Sequence, residues 1–148
     1  MIKLVTQSDL MQAAMVHSES WKESHRNICS AAFIESHTPE RQKNYLASEI
    51  VKGAQLYMLI DRKPVGIVSV YGNLIENLYV LPSEQNKGYG TQLLTFAVGK
   101  CTGAPVLWVL STNDRARRFY ERNGFRATGN IVQHAGGVSE LEFCLNRE

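Results

Sequence analysis

Apolar and polar positions change their period along this chain, and the changes predict its elements. Met1 to Val5 reads as a short strand. Ser8-Asp9 offers a cap for a helix through Met11, Ala14 and Met15 and on to Trp21. Thr38-Pro39-Glu40 opens a second helix, with a capping hydroxyl and a proline in the first turn. Its apolar residues Tyr45, Leu46 and Ile50 recur at helical spacing. Then the period shortens. Gln55 to Ile60, Val65 to Tyr71 and Leu74 to Leu81 read as strands, joined by turns at Asp61–Pro64 and Gly72-Asn73, which is a meander of hairpins. After it the order becomes helix (Gly90 to Cys101), strand (Val106 to Leu110), helix (Asp114 to Arg122) and strand (Phe125 to Gln133). Gly136-Gly137 punctuates a last hairpin, and Val138 to Leu145 is the final strand. The class is α/β, with one central sheet and helices on both faces. No linker or repeat divides the chain, so residues 1–148 read as a single domain.

Bulk composition narrows the function classes. A chain of 148 residues holds one proper core. Its net charge of +2, from 16 Lys and Arg against 14 Asp and Glu, is too small to argue for nucleic acid. Arg115, Arg117 and Arg118 read as a solvated helix face. Cys29, Cys101 and Cys144 are odd in number and widely spaced, which supports neither a disulfide framework nor a zinc site. Reduced thiols fit a cytoplasmic protein. The N-terminus lacks the apolar run of a signal peptide, and no stretch approaches the ~18 apolar residues of a membrane span. His17, His25, His37 and His134 show no metal spacing, and all four read as packed or surface residues. No metal and no membrane partner are expected.

The chemistry concentrates in Gln85-Asn86-Lys87-Gly88-Tyr89-Gly90, between a strand ending at Val80-Leu81-Pro82 and a helix starting at Thr91. Glycines there let backbone approach a ligand, and a helix N-terminus offers orphan N–H donors and partial positive charge to a pyrophosphate. The dinucleotide fingerprint fails, because its third glycine would fall at Leu93. The P-loop also fails, because Lys87 precedes Gly88. What stands is Gln-x-x-Gly-x-Gly. A second signature follows in Asn113, Ala116, Phe119-Tyr120 and Gly124-Phe125. Ala116 and Tyr120, four apart, share one helix face.

These two motifs, in this order and separation, resemble the GNAT superfamily of acetyl-CoA-dependent N-acetyltransferases. The likeness covers most of the chain and is specific from Leu74 to Phe125. Ser20-Trp21-Lys22 with His25-Arg26-Asn27-Ile28 is similar to the first-helix segment of bacterial members, where an aromatic often replaces His25. The resemblance implies a mixed, mostly antiparallel sheet of six to seven strands with helices on both faces. It implies that Gln85, Asn86, Lys87, Gly88, Tyr89, Gly90 and Thr91 hold the pyrophosphate of acetyl-CoA, with Lys87 as a point charge. Leu78, Tyr79 and Val80 would hold the pantetheine arm by backbone hydrogen bonds, beside a bulge expected between Asn77 and Leu81. Asn113 would help fix the arm, and Ala116 would let it lie close.

For catalysis, the resemblance implies Glu76 as general base and Tyr120 as proton donor to the leaving thiolate. A bulge that shifts the alternation makes Asn77 the inward residue instead, so the base stays open between two neighbours. Direct attack in a ternary complex is expected. A ping-pong route would need Cys101 or Cys144, and both fall in apolar, core-like positions. The acceptor would be a primary amine of a small molecule or peptide, walled by Trp21 to Thr38 and by Val132 to Val138. Trp21 and His134 are candidates to line that cleft, whereas Trp108 reads as sheet packing with Leu107 and Val109. Two other classes stay open: a module that senses acyl-CoA without turnover, and a weaker nucleotide-binding regulator. A homodimer through the C-terminal strands is compatible with the sequence.

Overall fold

A computed structural model describes residues 1–27 and 29–146. Ile28, the end of the first-helix segment singled out above, lies outside the described residues. The chain runs β1 (Ile2–Leu4), α1 (Leu10–His25), α2 (Ala31–Glu35), α3 (Pro39–Val51), β2 (Gln55–Asp61), β3 (Lys63–Tyr71) and β4 (Leu74–Val80). It continues through α4 (Tyr89–Lys100), β5 (Val106–Leu110), α5 (Asp114–Arg122), β6 (Arg126–Gln133) and β7 (Ser139–Cys144).

Local chemistry sets the helix starts. Thr6 and Asp9 form a capping box through a 3₁₀ turn, one turn earlier than Ser8-Asp9 suggested, and α1 extends beyond Trp21 to His25. Thr38 caps α3 by accepting from the Arg41 N–H at 3.2 Å, with Pro39 at its first position. The five-residue α2 has too few turns to show a period, so only its cap, Ser30 accepting from the Phe33 N–H at 3.3 Å, marks it in the sequence.

The seven strands form one sheet in the order β1-β2-β3-β4-β5-β7-β6. Every pairing is antiparallel except β4 with β5. One core packs α4 and α5 on the face carrying Val68, Ile75, Leu107, Val109 and Phe143. The other packs α1 and α3 on the face carrying Leu56, Met58 and Ile67. A β-carbon on Gly66 would fall 2.7 Å from Leu93 Cδ1 and 3.0 Å from the Tyr79 carbonyl oxygen, so glycine lets α4 close onto the sheet there.

Two irregularities position the site. The parallel strands β4 and β5 are registered at one pair only, Leu74 with Val106. Beyond it they part, leaving the β4 edge from Ile75 to Val80 without a strand on that side. On the other side of β4, Ile67 faces Tyr79 and Ser69 faces Glu76, so β4 carries one extra residue between them. Asn77 sits in that bulge at φ 55°. Among the described residues no helix is long and apolar enough to cross a membrane.

Candidate active site

A cleft of about 1080 Å³ opens where β4 and β5 part. Glu76 to Val80 line one side and Leu107 to Leu110 the other, with α5 and the loop before α4 closing one end and α1 and α3 the other.

The loop end suits an elongated, phosphate-bearing ligand. Gly88 caps α4 at φ 86°, a left-handed conformation that glycine adopts without strain, and Asn86 adopts φ 65°. The first helical bond runs from the Gln92 N–H to the Gly88 carbonyl at 3.1 Å. The amides of Tyr89, Gly90 and Thr91 are therefore the orphan donors of the helix start. Gln85 Nε2 donates to the Val80 carbonyl at 3.1 Å and folds the loop back onto β4. Tyr89 Oη donates to Asp61 Oδ2 at 2.5 Å and ties the loop to the end of β2.

Among the residues expected to hold the cofactor or to catalyse transfer, Lys87 alone is outside the cleft lining. Its ammonium sits 2.7 Å from Glu84 Oε2, held by a carboxylate three residues back. Asn113 and Ala116 line the cleft, and Asn113 Oδ1 caps α5 by accepting from the Ala116 N–H at 3.1 Å. Arg115, read as part of a solvated face, borders the cleft as well.

Tyr120 lines the cleft on α5, edge-on to Phe119 and Phe125, with ring centroids 5.3 and 6.0 Å away. Burial raises its hydroxyl above the ordinary phenol range. Glu76 lines the same cleft on β4, half-buried. Burial raises its carboxyl, and the charges of Glu49 and Glu140 push the same way, against Lys52. The Glu76 carboxylate makes no hydrogen bond or ion pair among the described residues.

The bulge puts Glu76 and Asn77 on the same face. Cross-strand partners share a face, so Glu76 lies on the face of Ser69. Asn77 Nδ2 donates to Ser69 Oγ at 3.1 Å and is on that face too. Both neighbours point towards α1 and α3, and neither displaces the other.

Residues to which the sequence assigned no part in the site complete this end. His17 is 3% exposed, and burial lowers its pKa to about 4. Gln42 Nε2 lies 2.7 Å from its Nδ1, and its Nε2 lies 3.2 Å from Asn77 Oδ1. Tyr45 Oη donates to the same Asn77 oxygen at 3.3 Å, and burial raises this phenol to about 12. No motif marks these three. Gln42 and Tyr45, three apart on α3, are ordinary helix residues until the tertiary contact is made. Trp21 lines the cleft sandwiched between two imidazoles, His25 at 4.0 Å and His37 at 3.6 Å between centroids.

Three expectations change. Trp108 lines the cleft, because β5 alternates Leu107 and Val109 into the core and Trp108 onto the opposite face. The last hairpin contributes Glu140 rather than residues 132–138, and His134 reaches the cleft only through its 2.6 Å contact with Glu140. Cys144 is half-buried, whereas Cys101 is in the core.

A mixed sheet that parts between two parallel strands, beside a glycine-opened helix N-terminus, defines an α/β protein built to take a long phosphate-bearing ligand across its sheet. The chain belongs to the GNAT acetyltransferase family: residues 52–127, just over half of it, match the model of the Acetyltransferase (GNAT) domain. Among solved structures it is similar to the PaiA N-acetyltransferase of Thermoplasma acidophilum in complex with coenzyme A, with 26% identity, a TM-score of 0.74 and 96% of each chain covered. A GCN5-related N-acetyltransferase structure from Rhodopseudomonas palustris shares the fold at 19% identity and a TM-score of 0.79, over 99% of this chain and 95% of that one. The ribosomal-protein-S18-alanine N-acetyltransferase of Escherichia coli shares it at 18% identity and a TM-score of 0.73, over 98% and 92%. No curated protein matches the sequence.

Proposed function

We propose that residues 1–148 form one cytoplasmic N-acetyltransferase domain, which moves an acetyl group from acetyl-CoA to a primary amine of a small molecule or peptide by direct attack. The observation that carries this reading is the open β4 edge running from the half-buried Glu76 to the orphan amides of α4. The residues present fit the co-substrate. Tyr89, Gly90 and Thr91 offer amides to the pyrophosphate, with Gln85, Asn86 and Gly88 shaping the loop. Leu78, Tyr79 and Val80 offer the arm an edge to pair with, as an added strand would.

Each chemical step then has a group to perform it. The acceptor arrives as an ammonium, and Glu76 takes its proton directly or through a water; a raised carboxyl pKa suits that transfer near neutral pH. The freed nitrogen forms its bond to the acyl carbon, and a backbone N–H of the bulge stabilises the charge that collects on the oxygen. As the carbon–sulfur bond breaks, Tyr120 gives its proton to the departing thiolate, and the new amide nitrogen sheds its remaining proton to solvent. The hydroxyl is later reprotonated from solvent. Cys101, packed in the core, takes no part.

The test is release of free thiol from acetyl-CoA against a broad amine panel, with thermal unfolding in acetyl-CoA, CoA, NAD and ATP. Ligand at a hundred times its dissociation constant adds about 2.7 kcal/mol, enough to raise the midpoint by several degrees. Stabilisation by both CoA species and amine-dependent thiol release are expected. Stabilisation without turnover of any amine would favour a sensing module.

A further inference from the structure

The side chain of Asn77 is the meeting point of three elements, and its hydrogen bonds can be assigned a direction throughout. Gln42 Nε2 can only donate, so His17 Nδ1 is the acceptor at 2.7 Å. The ring hydrogen is then on Nε2, which donates to Asn77 Oδ1 at 3.2 Å. Tyr45 Oη donates to the same oxygen at 3.3 Å. Asn77 Nδ2 donates to Ser69 Oγ at 3.1 Å, and Ser69 in turn donates to the Glu76 carbonyl at 3.1 Å. In this arrangement every donor of the network meets an acceptor.

That arrangement has a consequence for the backbone. The Glu76 carbonyl is directed at Ser69 on β3. In a trans peptide the C=O and the following N–H point opposite ways, so the Asn77 N–H is directed away from β3. On that side β4 has no paired strand beyond Leu74, and Glu76, Asn77 and Leu78 all line the cleft.

We propose that Asn77 is a positioning residue for acetyl transfer: its side chain, held by His17, Tyr45 and Ser69, locks the Glu76–Asn77 peptide so that the Asn77 N–H faces the thioester oxygen. The inference rests on the function proposed above. It assigns α1 and α3, which wall the acceptor end, a second task in setting the geometry of the acyl end.

The experiment uses [1-¹³C]acetyl-CoA, whose carbonyl resonance moves downfield when an N–H donates to it, together with steady-state kinetics. Asn77→Gly keeps a residue that tolerates φ 55° and removes the network. Ser69→Ala cuts the last link without touching that backbone angle and serves if the glycine variant folds poorly. The wild-type carbonyl is expected downfield of free acetyl-CoA. Either variant should bind acetyl-CoA within about twofold of wild type, shift the resonance back and lose roughly tenfold or more in kcat. A variant that keeps both the wild-type shift and kcat overturns the positioning role while leaving the proposed function standing. A wild-type protein that binds no acetyl-CoA overturns both.

Discussion

Leu74 and Val106 are the single registered pair between the parallel strands β4 and β5. Everything the site offers lies downstream of their separation: the open β4 edge, the bulge at Asn77 and the cleft between Glu76 and Tyr120. Had the two strands stayed paired, the amides and carbonyls of β4 would be used within the sheet and unavailable to a ligand.

Glu76→Gln tests the base. The Glu76 carboxyl is raised, and the base form is the carboxylate, so wild-type kcat/KM falls as pH drops through that raised value. The variant should lose about 10²–10⁴-fold in kcat and lose the acid limb of the profile. Stability should move the other way. A carboxyl raised on folding favours the native state most at low pH, and that contribution disappears as pH rises through the folded value. Denaturant titration at neutral pH should find the glutamine variant at least as stable as wild type.

Tyr120→Phe separates chemistry from folding. The Tyr120 hydroxyl makes no hydrogen bond among the described residues, and its ring keeps its contacts with Phe119 and Phe125 in the variant. The melting midpoint and the affinity for CoA should be unchanged, while kcat falls about 10²-fold. Unchanged kcat would remove Tyr120 as proton donor.

His17 predicts acid sensitivity. Its folded pKa of about 4 lies below the 6.5 of an unperturbed imidazole. Between those values the unfolded chain binds the extra proton, so this contribution is whole above about pH 6.5 and is lost as pH falls towards 4, roughly 3 kcal/mol in all. Burial lowers His25 and His37 too, and they act in the same direction. NMR titration of His17 checks this; an ordinary titration near 6.5 would contradict its burial.

Gly88→Ala probes the loop. No atom lies within 4 Å of the added β-carbon, so its effect comes from the left-handed backbone at φ 86°. The cost should be about 1–2 kcal/mol in unfolding free energy, with a weaker affinity for CoA because relaxation of the strain turns the amides of α4. Calorimetric titration with CoA and urea denaturation measure the two effects separately.

Much of the fold was legible because period and punctuation are local. The strands from Gln55 to Leu81 and the helix opened at Gly88 declare themselves through alternation and glycine, and both motifs sit where the cleft forms. The five residues of α2 did not, being shorter than any period. Trp108 was misplaced because strand alternation shows that it opposes Leu107 but not which face is covered.

By itself the sequence determined the order of the elements other than α2, the glycine-opened helix start and the family, since each depends on residues close together in the chain. Only the tertiary structure decided where β4 and β5 part, that Glu76 and Asn77 share a face, and that His17, Gln42 and Tyr45 meet Asn77. His17 and Asn77 are sixty residues apart. Their contact depends on how two helices pack across a bulged strand, and a pairing through space leaves no periodic trace in a single chain.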